Sequence, residues 1–313
     1  MSPAIRVFAP ASIGNVAAGF DLLGAALAPL DGTLLGDLVT VEPAPEDRFV
    51  LEGAFAPMLA GDGRPNLVLR ALELFRERAG AGASWAVTLD KRLPVNSGLG
   101  SSASSVVAAL AAFQRAAGFP LEGPELLALA GRAEGVYSGA GHLDNVAPSL
   151  LGGLRMVVPG RDGRSTAREL PWPGDLVFVV VHPEWQLPTA ASRAVLPGEV
   201  PLAGAVGFAG NLAGFVHALH TGDRALLGRC LRDPLAEPFR AALVPGFPAA
   251  KAAALGAGAL GFSLSGSGPS VFAVAPEREA PAVAAAIRGA FGEASLPSTS
   301  WICGLDTRGA REV

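Results

Sequence analysis

Residues 94–105 read "PVNSGLGSSASS", two glycines and five serines set directly before the apolar run "VVAALAAF" (106–113). A polar, flexible stretch ahead of a buried helix has three readings. It cradles a phosphate, it binds a dinucleotide, or it is only a well-capped helix start. The first N–H groups of a helix have no partners within it, and the helix dipole puts partial positive charge there. Gly98 and Gly100 let the backbone turn tightly and approach a ligand closely. Ser101, Ser102, Ser104 and Ser105 add hydroxyl donors, so the stretch suits an anion such as phosphate. No G-x-x-x-x-G-K-[ST] pattern is present, and no lysine lies in or just after the loop, so it is not a Walker A loop. Gly98-x-Gly100-x-x-Ala103 matches the dinucleotide pattern, with Glu122 about 20 residues on. That pattern needs its acid at the end of a second strand, whereas Glu122 sits between Pro120 and Pro124 before a helix.

Working outward, "IRVFAPAS" (5–12), "LGDLVTVEPA" (35–44) and "SWAVTLDKRLP" (84–94) read as strands, the last delivering the chain into the loop. "PNLVLRALELFRERAG" (65–80) reads as an amphipathic helix on Leu67, Leu69, Leu72 and Phe75, ended by Gly80. A buried helix over Ser102–Ala117 is stopped by Gly118 and Pro120, and "GPELLALAGRAEG" (123–135) forms the next, with Pro124 in its first turn. The proline, glycine and arginine content of 152–174 puts a domain boundary there, giving units 1–160 and 161–313. The second unit reads as strand 175–182, helices over 203–220 and 249–255, strands 261–265 and 270–275, helix 278–291 and strand 300–305. That order, β-α-β-β-α-β with one extra helix, is the split βαβ of ferredoxin-like domains. The expected fold class is α+β.

The chain has 313 residues, half of them hydrophobic and only 17% charged, enough to bury a large core. Much of the apolar count is alanine, and charged residues or glycines break the apolar stretches, so no membrane-spanning helix and no membrane partner are expected. A net charge of −4 argues against a general nucleic-acid binder. The start "MSPAIRVFAP" lacks the pattern of a secretory signal, and Cys230 and Cys303 are expected as reduced thiols in the cytoplasm. Lys91 and Lys251 are the only lysines, which limits lysine chemistry.

Three motifs in order give a resemblance. "PVNSGLGSSASS" is similar to the P-x-x-x-G-L-G-S-S-A phosphate loop of the GHMP kinases, "APASIGNVAAGFDLLGAAL" (9–27) resembles their first motif, and "SLSGSGPSVFAV" (263–274) their third. The resemblance covers nearly the whole chain. It implies an N-terminal domain with a left-handed βαβ unit and a ferredoxin-like C-terminal domain, with ATP and Mg²⁺ as cofactors and a homodimer. Within that superfamily four stretches resemble the homoserine kinase family: "NVAAGFDLLGAAL" (15–27), "GHLDNVAPSLLGG" (141–153), "SRAVLP" (192–197) and "EPFRAALVPG" (237–246). The implied reaction is phosphorylation of the L-homoserine hydroxyl on the route to threonine.

The resemblance also implies roles. Pro94, Val95, Asn96, Ser97, Gly98, Leu99, Gly100, Ser101, Ser102, Ala103 and Ser104 would hold the ATP phosphates, with Gly266, Ser267 and Gly268 bracing them from the other domain. Ser102 and Glu134 would bind Mg²⁺, and Asn66 would line the nucleotide. Asp21 would face the substrate ammonium; Arg193 and Arg240, with His142, would hold its carboxylate, since arginine meets carboxylates as a rigid fork. Asn15 and Asn145 would contact the reacting hydroxyl. Homoserine kinases carry Asn145 where galactokinase and mevalonate kinase carry a catalytic aspartate, and the adjacent Asp144 is expected to point elsewhere. Catalysis is then expected without a side-chain base, by positioning and charge neutralisation. The sequence departs from the family pattern at Ile13-Gly14, Ala17-Ala18, Asn96-Ser97 and Leu143.

Taken singly, each of these residues has a plainer reading. The arginines suit a surface, Glu134 a solvated helix face, Asp21 a turn and His142 a loop. His217 and His220 lack a third ligand at metal spacing, and no G-x-S-x-G elbow supports a serine hydrolase. Other functions remain to be weighed: another small-molecule GHMP kinase, a silent ligand-binding relative, or a dinucleotide-dependent oxidoreductase. Glu134 and the loop serines, which a silent relative should lose, are present.

Overall fold

Alternating apolar residues in the N-terminal third build one sheet and feed a second. The computed structural model describes residues 4–59, 66–80, 82–138, 143–160 and 165–313. In chain order the first half holds β1 (Ile5–Pro10), β2 (Ser12–Gly14), β3 (Leu23–Pro29), β4 (Gly36–Pro43), β5 (Arg48–Glu52), α1 (Leu67–Ala79), β6 (Trp85–Asp90), α2 (Ser101–Ala116), α3 (Gly123–Ser138) and α4 (Leu143–Leu151). The hairpin β7 (Leu154–Val158) and β8 (Thr166–Leu170) leads to β9 (Leu176–Pro183), α5 (Thr189–Ala194), α6 (Leu202–Thr221), α7 (Arg224–Cys230), α8 (Glu237–Arg240) and α9 (Phe247–Gly256). The chain ends with β10 (Gly261–Leu264), β11 (Val271–Pro276), α10 (Ala280–Glu293), β12 (Ser298–Leu305) and β13 (Arg311–Glu312).

The first sheet runs β13-β1-β4-β6-β5. Only β5 and β6 pair in parallel, with α1 as their crossover. Helix α2 lies against β1 and β4, and α1 and α3 lie against α2. Trp85 and Phe113 stack at 5.7 Å in that core, beside Phe75. The buried face of α1 is Leu67, Val68, Ala71, Leu72, Leu74 and Phe75; Leu69, expected in the stripe, is exposed.

In the second sheet β10-β11-β9-β12 form an antiparallel ferredoxin-like unit, as expected. Its strand β9 shows why "LVFVVV" is apolar throughout. Val177, Val179 and Val181 face the core with Phe247 and Ile287, while Phe178 and Val180 face the core with Phe215 and Leu227. Both faces are covered, so neither can be polar. Beyond β12 the sheet continues through β3, β7 and β8, and β2 pairs with β3. The segment expected to hold the domain boundary therefore contributes a hairpin to this sheet.

Contrary to the sequence expectation, one helix among the described residues has the length and composition of a membrane span. Helix α6 is 20 residues long without Asp, Glu, Lys or Arg. Its C-terminal half is packed through Phe215, Ala218 and Leu219 into the core, and its first turns, with Leu202 and Val206, are exposed.

Candidate active site

A cleft of about 440 Å³ opens where the 94–105 loop meets the 266–268 turn and the first turn of α4. Helix α2 begins at Gly100 (φ 63°), and no side chain caps it. Its first N–H groups are therefore available to an anion in the cleft. Gly98 takes φ 79°. A Cβ there would overlap the Ser265 carbonyl oxygen and come within 2.9 Å of the Gly268 oxygen. The two loops are that close because Ser265 Oγ donates to the Gly98 carbonyl at 2.6 Å and the Ser270 N–H donates to the Ser97 carbonyl at 3.0 Å. The bonds that join the turn to the loop thus come from Ser265 and Ser270, which flank the expected Gly266, Ser267 and Gly268. Ser192 Oγ, from α5, holds that turn in place by donating to the Ser267 carbonyl at 2.8 Å.

The serines divide by direction. Ser102 Oγ faces the cleft and donates to the Glu134 carboxylate from α3. Ser104 is fully buried and turned away: its hydroxyl donates to the Ala9 carbonyl at 2.7 Å and accepts from the Asp37 N–H at 2.9 Å. Of the expected phosphate residues, Val95, Asn96, Ser97, Gly98, Gly100, Ser101 and Ser102 line the cleft, whereas Pro94, Leu99, Ala103 and Ser104 do not. Leu99 and Ala103 are instead packed in the core. Asn66 also lines the cleft, with its side-chain oxygen accepting from the Val68 and Leu69 N–H groups as the cap of α1.

Asp21 and Arg193, which line the cleft too, meet with Nη2 lying 2.8 Å from Oδ1 and 3.1 Å from Oδ2. Arg240 is buried beside them, donating from Nη1 to the Gly266 carbonyl and from Nε to the Ser192 carbonyl, each at 3.1 Å. The Phe20 ring lies 5.8 Å from the Arg193 guanidinium and 5.3 Å from that of Arg240. One aromatic ring thus lies within reach of two cations. Asn15 adopts φ 68° and spans the junction: its Nδ2 donates to the Gly266 carbonyl at 3.2 Å and its Oδ1 accepts from the Asp21 N–H at 3.0 Å. His142 lies outside the described residues.

Asp144 corrects the sequence expectation. Residues 143–151 form α4, so consecutive side chains diverge by about a quarter turn rather than to opposite sides. Both Asp144 and Asn145 line the cleft. Asp144 Oδ2 accepts the Asn15 N–H at 3.2 Å, and Asn145 Oδ1 accepts Ser12 Oγ at 2.9 Å. The unusual Gly14 has a reason here. A Cβ at that position would come within 2.5 Å of Asp144 Oδ2 and 2.6 Å of Asn145 Nδ2. Burial, reinforced by the charges of Asp21 and Glu134, pushes the Asp144 carboxyl up to about 7. Burial likewise pushes Glu134 up to about 6, against the opposing hydrogen bond from Ser102. Besides Asp144, sequence reasoning missed Phe20, Ser12 and Lys91. Lys91 was signalled by its placement just before the loop, and Ser12 and Phe20 by lying within the 9–27 motif.

The arrangement offers an anion cradle, a hydroxyl–carboxylate pair beside it, and a charged group of mixed sign lining the same cleft. Residues 66–153 match the family model described as GHMP kinases N terminal domain, and residues 215–293 match that described as GHMP kinases C terminal. The chain is similar to the structure of a homoserine kinase from Cytophaga hutchinsonii ATCC 33406, with 35% identity, TM-score 0.90, and coverage of 100% of this chain and 98% of that one. A putative homoserine kinase from Listeria monocytogenes shares the fold at 22% identity and TM-score 0.71, covering 99% of each chain. Mevalonate kinase of L. major in complex with R-mevalonate shares it at 16% identity and TM-score 0.69, covering 97% of this chain and 95% of that one.

Proposed function

The chain belongs to the GHMP kinase family, and from that premise we propose that it phosphorylates the side-chain hydroxyl of L-homoserine with ATP. The carrying observation is the Asp21–Arg193 pair with Arg240, all three lining the same cleft as the phosphate loop. An amino acid presents its ammonium and carboxylate one carbon apart, so a site for it needs a carboxylate and guanidinium groups side by side. An alcohol such as mevalonate carries no ammonium for Asp21 to meet. The likeness to a homoserine kinase at 35% identity supports the same choice.

In this reading Asp21 takes the ammonium, Arg193 and Arg240 take the carboxylate, and Asn145, held by Ser12, orients the hydroxyl. The uncapped start of α2 and the 97–102 backbone hold the phosphates. Ser102 and Glu134 offer two hard oxygens that fit Mg²⁺, and both would hold it. When bound, that ion supplies charge neutralisation on the phosphates. The substrate oxygen forms its bond to the γ-phosphorus as the bond from that phosphorus to the β–γ bridging oxygen breaks. ADP leaves with the bonding electrons, and the hydroxyl proton passes to an oxygen of the transferred group. The position of Asp144 favours a second reading, in which its carboxylate accepts that proton.

The test is ADP release from ATP and Mg²⁺ with L-homoserine, mevalonate, galactose and L-serine. Turnover on L-homoserine alone supports the assignment; turnover on another alcohol overturns the substrate and leaves the phosphate site standing. Asp144→Asn separates the two proton routes: loss of more than about 100-fold in kcat, with the acidic limb of its pH profile gone, selects Asp144 as base. The reading extends to a cytoplasmic homodimer, for which the exposed apolar first turns of α6 offer a surface.

A further inference from the structure

Beneath the phosphate loop lies a buried ion pair that the reaction as drawn does not use. Asp37, on β4, and Lys91, just after β6, are both nearly inaccessible and are in direct contact. Breaking water's hold on two charges is costly, so such a pair persists only where the remaining donors and acceptors are met. Here they are met fully. The Asp37 carboxylate accepts the Arg92 N–H at 2.9 Å and the Leu93 N–H at 3.0 Å on Oδ1, and Lys91 Nζ and Ser105 Oγ on Oδ2. The ammonium of Lys91 has three N–H donors. They go to Asp37, to the Ser101 carbonyl at 2.8 Å and to Ser105 Oγ at 3.0 Å.

These partners bracket the phosphate loop. Arg92 and Leu93 lie immediately before it, and Ser101 and Ser105 lie at its C-terminal end, in the first turns of α2. A single carboxylate therefore ties both ends of the loop to the sheet. Lys91 lines the same cleft as the loop, but with its three donors engaged it has none to offer a phosphate. Burial lowers the Lys91 pKa while Asp37 opposes that shift.

We propose that the Asp37–Lys91 pair is a positioning device for nucleotide binding, clamping the two ends of the phosphate loop so that its N–H groups are preset for the ATP phosphates. This rests on the reading of the cleft as an ATP site, though not on which alcohol is phosphorylated. Preset donors lower the ordering cost of binding, so their loss is read first in ATP affinity. Lys91 acts through the backbone of Ser101 and is not a group that touches the transferred phosphoryl.

The experiment compares the wild-type chain with Lys91→Met, Asp37→Asn and the double variant Asp37→Asn/Lys91→Met. Each single change strands a buried group, whereas the double removes both charges together. ATP binding is measured by calorimetry without any alcohol present, thermal unfolding is followed in parallel, and kcat and both KM values are taken with the preferred alcohol. The expected result is a folded double variant whose ATP dissociation constant rises about tenfold or more, with KM for the alcohol unchanged. A folded double variant with wild-type ATP affinity overturns the proposal and leaves the pair a matter of fold stability. Lys91→Met that keeps ATP affinity but loses kcat at saturating ATP also overturns it, by making Lys91 a catalytic residue. Should the double variant not fold, Ser105→Ala removes only the hydroxyl that ties α2 to Asp37. Weakened ATP binding then supports the clamp, and unchanged binding overturns it. A wild-type chain that binds no ATP defeats the nucleotide reading itself, a result distinct from any difference among variants.

Discussion

At Asp144 a carboxyl is caught between burial and two neighbouring carboxylates. The folded chain holds its pKa near 7, against an ordinary value of 3.8. The folded state therefore binds a proton that the unfolded state releases between those values. Stability from this group is fully present below about pH 4 and is lost as pH rises through 7. Glu134, pushed to about 6 for the same chief reason, adds to the same trend. The gap at Asp144 sets a ceiling of about 4 kcal/mol, and relaxation and water reduce what is realised. The unliganded chain is expected to melt at a lower temperature at pH 8 than at pH 5. Asp144→Asn, uncharged throughout, should flatten that slope and melt higher than wild type at pH 8. An unchanged slope in Asp144→Asn would show that the carboxyl is already ionised at pH 5. The amino acid substrate should restore stability at pH 8, because its ammonium offsets the carboxylates of this corner.

Among the elements, the phosphate loop and the 265–270 turn meet backbone to backbone with no room for a side chain at Gly98. Gly98→Ala combines a left-handed φ of 79° with overlap onto the Ser265 backbone oxygen, so the two loops must separate. Displacing a positioned group by about 1 Å costs on the order of 100-fold in rate. Gly98→Ala is expected to lose at least that in kcat/KM, whereas Ser265→Ala, which removes only one hydrogen bond to the Gly98 carbonyl, should cost about 1 kcal/mol of stability. Equal effects from the two variants would count against the steric argument. Glycines and serines before an apolar helix left three readings of the loop open, and it was the resemblance of three ordered motifs that chose the phosphate one. The ferredoxin-like strands were legible because Gly and Pro punctuate short apolar runs. Helix α4 was not: it is short, carries Pro148 within it, and opens on Asp144 and Asn145, residues that favour turns. That one misread element is why Asp144 was expected to point away. The hairpin of β7 and β8 was hidden by the prolines and arginines around it. The contacts of Asp37 with Lys91 and of Asp21 with Arg193 span 54 and 172 residues of chain, and no local pattern encodes such pairs.

For the whole molecule, the site exists only where the two halves meet. Asp21, Glu134, Asp144 and Asn145 come from the first half, and Arg193, Arg240 and the 266–268 turn from the second. The backbone is interleaved to match. Strand β12 pairs with β3 through Cys303↔Pro29, Gly304↔Ala28 and Leu305↔Leu27, and β13 returns to pair with β1. The Val313 N–H donates to the Arg6 carbonyl at 3.0 Å, and Arg311 joins Asp306 beneath the Phe8 ring. Cutting the chain at 160/161 would leave β3 without β12, β1 without β13, and the facing apolar side chains in water. Residues 1–160 and 161–313 made separately are therefore expected not to fold as cooperative units. The full chain should unfold in one transition with equal calorimetric and van't Hoff enthalpies. Deleting 311–313 should lower the melting temperature and weaken ATP binding much less, because β13 stands at the sheet edge away from the cleft. A second calorimetric transition, or a folded 161–313 fragment, would mean that strand pairing across the halves adds little. The charged corner of the cleft would then be assembled by the ligand rather than by the fold.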